Sequence, residues 1–341
     1  MTTILQPARK VTRFLAILAL LGLILGVLPV FAGGEKETTT GEVQKINLAL
    51  GDIESVETLH LLIALEKVKE RGIDVNMVSF QAEDVAAQAV VNGQSDIGIG
   101  TPYALIQNVN APIRIFFQLS TLLFYPIVNT DYYNSWKDLD GQEIVVHSRT
   151  SGTLGIANLM AMKHGIKYSK ISYVPGSEVR AAAMLKGNIK ATILDSYNKD
   201  FLMKQAPGKF KVLPMGDITA SDEALYANVD FLEANPTVVR ILVEELINTI
   251  KAIDKDPSYV LEQRKKYNLI PDLPAELEPE ILPFYELAVK GHMFPEDGGG
   301  ARAAKQDFEF YGVSGQIKGD PSTLKVEDFW YLKPLDDVLK K

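Results

Sequence analysis

Short segments with the alternation of β-strands are interleaved along this chain with longer segments in which apolar residues recur at helical spacing. The first strand is predicted at residues 45–50, where apolar and polar side chains alternate. Residues 56–70 place leucine, isoleucine and valine three and four positions apart, with Ser55 as the N-cap and Gly72 beyond the end. Strands that alternate with helices predict an α/β protein with mainly parallel sheets.

The same patterns assign most of the remaining chain. Further strands are predicted at 74–80, 96–100, 113–118, 143–147, 170–174, 191–194 and 209–213. Helices are predicted at 84–91, 102–108, 151–164, 178–185 and 238–253, and closing helices at 308–313 and 326–340. The three glycines at 298–300 predict a mobile loop.

Two segments of the chain echo one another. AAQAVVNGQSDIGIGTPY (86–103) and RAAAMLKGNIKATILDSY (180–197) both give a helix, a glycine, a strand and a tyrosine, at a constant offset of 94 residues. Such repetition is typical of a duplicated unit. It predicts two related lobes, and a chance likeness between two β-α-β units is the alternative.

The N-terminal segment differs from the rest of the chain. Three basic residues and no acidic residue precede an apolar run of 18 residues at 14–31, which ends in Val-Phe-Ala. This pattern predicts a secretory signal at 1–32, followed by a flexible Gly/Thr-rich leader at 33–42. An uncleaved membrane anchor is the alternative, because the run is just long enough to span a bilayer. We expect a periplasmic or extracellular protein, anchored to the membrane if the signal is retained.

Charge and composition narrow the function. The formal net charge of the 341 residues is −8, and it becomes −11 without the three basic residues of the predicted signal. An acidic protein is a poor partner for nucleic acid or for an anionic membrane surface. The absence of cysteine excludes disulfides, thiolate catalysis, thiolate metal sites and a lipid-modified N-terminal cysteine.

Sequence patterns of catalysis are also missing. There is no G-x-S-x-G, no H-E-x-x-H and no G-x-x-x-x-G-K-[ST] motif. The four histidines are scattered, and only His147 falls near a predicted strand end. We therefore predict no catalytic residue, no metal and no cofactor.

Ligands of open parallel sheets bind outside the carboxyl ends of the strands, so the loops at those ends are the predicted site. The predicted ligand-binding residues are Asp52, Ser55, Gln81, Gly100, Thr101, Tyr103, Ser120, Tyr125, Ser148, Arg149, Thr150, Ser151, Gly152, Thr153, Ser177, Asp195 and Tyr197. If two lobes face one another, these loops line one cleft.

The segment HSRTSGTLG (147–155) carries the most explicit chemistry among these loops. A strand runs into a hydroxyl-rich turn that opens a helix, where unpaired N–H groups and the helix dipole favour an anion. Hydroxyl donors and one positive charge would come from Ser148, Thr150, Ser151, Thr153 and Arg149. Simple N-capping by Ser151 is the alternative.

Two other loops are candidates with an equally plain structural alternative. In GTPY (100–103), Gly100 permits close approach of a ligand and Tyr103 could stack on it, unless this tyrosine belongs to the core. In DSY (195–197), Asp195 could pair with an amine or a hydroxyl, or simply cap the following helix. If both residues line the cleft, alanine at either weakens binding and leaves the stability of the free protein nearly unchanged.

Four segments resemble the nitrate/sulfonate/taurine and thiamine-precursor class of periplasmic binding proteins. They are VVNGQSDIGIGTPY, SWKDLDGQEIVVHSRTSGT, ANVDFLEANPTVVRILVEEL and VEDFWYLKPLDDVLKK, and the resemblance runs from about residue 45 to 339. It implies the two-lobed type II periplasmic binding protein fold. Lobe I would comprise 43–126 and 227–341, lobe II would comprise 127–226, and two crossings would form a hinge.

The resemblance also implies a function. A protein of this class is a monomer that captures a small molecule between its lobes and delivers it to the permease of an ABC importer. The class takes sulfonates, nitrate, pyrimidines and aromatic acids, and the arginine, hydroxyls and tyrosines predicted here suit a small planar or anionic ligand. An enzyme acting on an intermediate of a cofactor pathway, or a binding protein for a secondary transporter or a sensor, are the alternatives.

Overall fold

The computed structural model describes residues 45–80, 82–216, 218–275 and 277–340. The predicted signal at 1–32, the leader at 33–42 and the predicted ligand residue Gln81 lie outside the described residues. Within the described ranges, no helix combines the length and the apolar character needed to cross a membrane.

Strands and helices follow the predicted order closely. The strands are β1 Lys45–Leu50, β2 Asp74–Ser79, β3 Ile97–Gly100, β4 Ile113–Gln118, β5 Phe124–Asn129, β6 Glu143–Val146, β7 Lys170–Tyr173, β8 Ala191–Asp195, β9 Phe210–Val212 and β10 Ala224–Asn228. The α-helices are α1 Leu59–Glu70, α2 Glu83–Val91, α3 Tyr103–Val109, α4 Gly152–His164, α5 Ser177–Leu185, α6 Ser196–Gln205, α7 Val229–Ala234, α8 Pro236–Lys255, α9 Tyr259–Tyr267, α10 Ile281–Lys290, α11 Gly300–Val313 and α12 Lys333–Leu339. Single 3₁₀ turns cover Trp136–Leu139, Glu278–Glu280, Pro321–Thr323 and Val326–Asp328.

The strands form two five-stranded sheets of identical plan. The first has the order β2-β1-β3-β10-β4 and the second β7-β6-β8-β5-β9. The first three strands of each are parallel, and the fourth runs antiparallel to both its neighbours. The predicted α/β fold with two mainly parallel sheets is confirmed, since four of the five strands in each sheet run in one direction and the fourth strand makes the sheet mixed. We call the parts built on these sheets the first and the second lobe.

The two antiparallel strands, β5 and β10, are absent from the sequence prediction. β5 contains Pro126, which lacks an N–H, yet its carbonyl still accepts a hydrogen bond from the Leu213 N–H. β5 belongs to the second sheet and β10 to the first. The lobe boundaries predicted at 126–127 and 226–227 therefore cut through these strands, and the chain crosses between the sheets at 119–123 and 213–223.

The two crossings pair with each other as a short antiparallel ribbon. The N–H groups of Leu119 and Ser120 both donate to the carbonyl of Glu223, and the Leu122 N–H donates to the carbonyl of Ala220. Thr121 and Ser221 form an antiparallel bridge. The ribbon joins the lobes through two neighbouring strands, which is a geometry suited to hinge bending.

The predicted echo between the lobes has a structural counterpart. α2 and α5 each have nine residues and are followed by Gly93 and Gly187, whose φ angles are 70° and 77°. Both glycines occupy the left-handed region, which residues with a Cβ rarely adopt. β3 and β8 then take the same third place in their sheets. The prediction of two related lobes agrees with this shared topology.

Three local predictions need correction. α1 begins at Leu59 rather than at Val56, because the Ser55 N–H is held by the Thr58 hydroxyl in a preceding turn. The predicted helix at 326–340 is interrupted where Trp330 forms a parallel bridge with Ile115 of β4. The glycines at 298–300 are packed rather than a mobile loop, since a Cβ at Gly298 would lie 2.5 Å from Leu335.

A buried carboxylate ties the ribbon to the core of the first lobe. Asp307 of α11 is fully buried and accepts hydrogen bonds from the Ser221 N–H at 2.6 Å and the Ser221 hydroxyl at 2.7 Å. It also accepts the hydroxyl proton of Tyr103, which in turn accepts from the indole N–H of Trp330 at 2.8 Å. Tyr103 is therefore a core residue and not the ligand-stacking residue of the sequence hypothesis.

We expect Tyr103→Phe to destabilise the protein by roughly 1–3 kcal/mol, because Asp307 and Trp330 each lose a buried hydrogen-bond partner. The measurement is chemical denaturation of the purified protein. The matched control is Tyr132→Phe, because this ring is 54% exposed and its hydroxyl is not part of the Asp307 network. Equal stabilities for the two variants would contradict a structural role for the Tyr103 hydroxyl.

Candidate ligand-binding site between the lobes

A small cavity lies where the carboxyl ends of the two sheets face each other. Its volume is about 30 Å³. Both lobes and the ribbon contribute to its wall. The lining residues are Asp52, Glu57, Glu83, Phe124, His147, Ser151, Thr153, Ser177, Arg180, Asp222 and Glu223.

The local folding of each lobe explains why these side chains meet. Asp52 and Glu57 lie in the loop between β1 and α1, and Glu83 is the first residue of α2. Asp222 and Glu223 directly precede the antiparallel strand β10, which places them at the same sheet edge. In the second lobe the lining residues begin β5, follow β6, or lie at the start of α4 and α5. The cavity therefore lies at the sheet edge that the strand-end rule selects.

Carboxylates dominate the wall of the cavity. Burial raises the pKa of Glu83 to about 8, with the Thr101 N–H opposing this shift and the charge of Asp52 contributing to it. Burial likewise raises the pKa values of Glu57, Asp222 and Glu223 well above the usual range, assisted by their acidic neighbours. Desolvation and like charges both favour the protonated forms, so the free site holds protons at neutral pH.

Arg180 is the permanent cation of this wall. It is fully buried, and its guanidinium donates to the carbonyls of Val174 and Ile193 and to the Ser177 hydroxyl. Sequence reasoning missed it, although the repeat contains a signal. Arg180 stands where the first lobe has the buried Ala86, and a charged residue in a core position of a repeat indicates a special role.

His147 connects the two lobes across the cavity. Its Nδ1 lies 3.9 Å from Asp52 Oδ2 and its Nε2 lies 4.0 Å from Glu83 Oε1, both in the first lobe. Burial lowers the pKa of His147, and the nearby Asp52 charge only partly opposes this shift. The imidazole is therefore neutral at pH 7 and does not offset the carboxylates.

The hydroxyl-rich turn before α4 bonds mainly to itself. Ser151 accepts the Leu154 N–H as the N-cap, Thr153 accepts the His147 N–H, and the Ser148 hydroxyl accepts the Thr150 N–H. The exposed Arg149 lies over the Tyr173 ring, 4.9 Å from its centroid, and does not line the cavity. The geometry of this turn therefore agrees with N-capping by Ser151. It does not agree with an anion site to which Arg149 contributes its charge.

Other predicted residues lie around the cavity without lining it. Thr101 donates its hydroxyl proton across the lobes to the Thr150 carbonyl at 3.2 Å, and Gly100 has a φ of 140° with Glu83 beside it. The Ser120 hydroxyl accepts a hydrogen bond from the Glu223 N–H within the ribbon. A side chain at Gly152 would collide with Leu122.

Three predicted residues have other structural roles. Asp195 is buried and caps α6, accepting the backbone and side-chain N–H groups of Asn198 at 2.8 and 2.7 Å. Tyr197 packs edge-on against Phe284 of the first lobe. Tyr125 lies beneath Lys199 at a separate groove of about 850 Å³. Alanine at Asp195 should therefore lower stability, contrary to the sequence expectation.

Of the predicted set, the structure brings Asp52, Ser151, Thr153 and Ser177 to the cavity. The lining residues absent from the predicted set are Glu57, Glu83, Phe124, His147, Arg180, Asp222 and Glu223, and of these only His147 was noted in the sequence as lying near a strand end. Ser55, in the loop before α1, is not part of the lining. Most of the missed residues are acids in loops and first helical turns, where sequence alone does not show which side chains point inward.

Comparisons with known proteins agree with this architecture. The family model described as NMT1/THI5 like matches residues 60–259. No curated protein sequence matches the chain. A solved structure from Bordetella bronchiseptica RB50 is 21% identical, with 87% of this chain and 97% of that chain covered and a TM-score of 0.71.

Two further solved structures carry functional names. The periplasmic nitrate-binding protein NrtA from Synechocystis PCC 6803 is 13% identical, covers 88% of this chain and 89% of its own, and has a TM-score of 0.67. The alkanesulfonate-binding protein SsuA from Xanthomonas axonopodis pv. citri bound to MOPS is 14% identical, with 85% and 99% covered and a TM-score of 0.62. The chain thus has the two-lobed fold of periplasmic binding proteins, and it belongs to the NMT1/THI5-like family.

Proposed function

We propose that this protein is the extracytoplasmic solute-binding component of an ABC importer, which captures a small molecule between its lobes and presents the closed form to a permease. The observation that carries the proposal is the polar cavity enclosed by both lobes and the ribbon. Family membership and the shared fold support it. The predicted export signal at 1–32 fits an extracytoplasmic location.

The described arrangement corresponds to a closed clamp. On one side of the cavity, α4 contacts α11, where the Asn158 amide donates to the Ser314 carbonyl at 3.2 Å. On another, Tyr197 of α6 packs against Phe284 of α10. A cavity of 30 Å³ has room for about two water molecules, so an organic ligand requires the lobes to separate. Bending of the ribbon would admit the ligand, and contacts to both lobes would favour closure.

We expect a ligand of the site to raise the melting temperature of the full-length protein by several degrees. A ligand at 100 times its dissociation constant adds about 2.7 kcal/mol to the free energy of unfolding. The measurement is a thermal-shift screen after unfolding and refolding the protein to remove carried ligand. The screen holds amines, amidines, pyrimidines, sulfonates, nitrate and aromatic acids. A screen without any shift, extended to small-molecule extracts, would count against a binding protein.

We expect Gly155→Leu to hold the lobes apart, because a Cβ at this position would lie 2.7 Å from the Phe310 ring of the opposite lobe. Affinity for a ligand found in the screen should fall about tenfold or more, which corresponds to about 1.4 kcal/mol. Small-angle X-ray scattering should show that the ligand no longer compacts the variant.

The control for Gly155→Leu is Met162→Leu, because Met162 lies on the same helix but is 60% exposed. It should bind and compact as the parent protein does. Unchanged affinity and compaction in Gly155→Leu would show that lobe closure does not accompany binding.

A further inference from the structure

Acidic side chains outnumber basic side chains in the wall of the cavity. Resting on the proposed function, we infer that the ligand is a small organic cation, an amine, an amidine or a protonated amino-heterocycle, and not a sulfonate, nitrate or another anion. Five carboxylates line the cavity against one guanidinium, and they come from three separate segments of the chain. The sequence suggested a small planar or anionic ligand, and this inference removes anions from that class.

The Arg180 guanidinium has few free N–H groups with which to bind an anion. Four of the five N–H groups of Arg180 are engaged, three with backbone carbonyls and one with the Ser177 hydroxyl. These bonds hold the guanidinium within its own lobe. An anion in the cavity would find at most one free N–H on this side chain, whereas recognition of planar anions by arginine is usually bidentate.

An unsatisfied acceptor faces the cavity. Glu57 Oε1 is shielded from solvent and has no hydrogen-bond donor among the ionised side chains and backbone groups of the described ranges. The Glu57 carboxyl lies beside that of Asp195, and burial together with this neighbouring charge raises the pKa of Glu57. A buried carboxylate oxygen without a donor is costly, and Glu57 lines the cavity on the side of the first lobe. A cationic N–H group supplies both the missing donor and the missing charge. An anion would add a second acceptor beside the first.

The helix N-terminus that would suit an anion is also engaged. The Leu154 N–H in the first turn of α4 bonds to the Ser151 hydroxyl rather than pointing free into the cavity. Across the cavity from this turn stand Asp52 and Glu83, which His147 approaches to within 4.0 Å. The partial positive charge of the helix is thus opposed by full negative charges from the first lobe.

An organic cation fits better than a metal ion. Within the described part of the chain, no group of three or more histidine, aspartate or glutamate residues is arranged to hold a metal. The carboxylates are spread over the wall rather than gathered about one point. A ligand with several N–H donors can reach more of them than a single ion can.

The first experiment separates charge classes without naming a ligand in advance. A small-molecule extract is divided by ion exchange into cationic, anionic and neutral fractions, and each is added to refolded full-length protein in a thermal-shift assay. Benzamidine with benzenesulfonate, and butylamine with butanesulfonate, serve as pairs of pure compounds that differ in charge. We expect the cationic fraction to raise the melting temperature by several degrees and the anionic fraction to leave it unchanged.

Each outcome distinguishes the inference from the function on which it rests. A shift with the anionic or neutral fraction alone would overturn the cation and keep the binding protein. A shift abolished by a chelator would replace the organic cation with a metal ion, which also overturns the inference. No shift with any fraction would count against the proposed function itself.

The second experiment uses proton linkage. Because the free site holds protons, a cation must displace them, and its affinity should rise with pH by up to tenfold per unit for each proton released. With the pKa of Glu83 at about 8, the expected gain from pH 6 to pH 8 is roughly 50-fold. An anion would show the opposite trend. The titratable groups facing Glu83 are Asp52, Asp84, Asp222, Glu223, His147, Tyr226 and Tyr311.

A matched pair of variants tests the role of the unsatisfied carboxylate. Glu57→Gln keeps the size of the side chain and removes its charge, so affinity for the active cationic fraction should fall at least tenfold. Glu309→Gln, on the exposed face of α11, is the control and should bind as the parent protein does. If Glu57→Gln folds with normal stability and binds that fraction equally well, the Glu57 carboxylate does not recognise the cation.

Discussion

The buried carboxylate of Asp307 fixes the geometry on which the site depends. It takes both hydrogen-bond donors of Ser221, in the ribbon, and the hydroxyl proton of Tyr103, in the first turn of α3. Burial raises its pKa to about 6 against the opposing effect of these donors. Because Asp307 fixes the position of Ser221, the next two residues, Asp222 and Glu223, are positioned at the cavity. The same contacts fix the register of the ribbon against the first lobe. We therefore expect hinge motion to arise beyond this anchor, toward the second lobe.

The anchored ribbon explains the charge of the cavity. Carboxylates from the β1 loop, from the start of α2 and from the ribbon converge on one cavity of about 30 Å³ beside one buried guanidinium. Burial and the neighbouring acidic groups keep these carboxyls protonated, which is unfavourable for the empty closed state. That cost is characteristic of functional sites, where stability is given up to prepare an interaction with a ligand. With a cation bound, the carboxylates would be attracted to the ligand, and this attraction would offset their mutual repulsion.

The sequence predicted the parts of this structure that depend on local patterns. Alternation and helical spacing gave eight of the ten strands, and the echo around Gly93 and Gly187 gave the common plan of the lobes. β5 and β10 were missed because each completes the sheet of one lobe immediately beside a crossing, which is a long-range relation. The strand-end rule selected the sheet edges at which the cavity lies, but it could not distinguish a side chain that points into the core, such as Tyr103, from one that lines the cavity, such as Glu83.

The fold alone does not decide the charge of its ligand. NrtA is named as a nitrate-binding protein and SsuA as an alkanesulfonate-binding protein, and both share this architecture at low sequence identity. Loops at the strand ends carry specificity, because they can change without disturbing the sheets beneath them. In this chain the hydroxyls of the turn before α4 bond to the backbone of that turn, while the opposite lobe supplies acids. On the inference of a cationic ligand, the first lobe and the ribbon set the sign of its charge, and the buried Arg180 of the second lobe acts as a partial counter-charge rather than as an anion receptor.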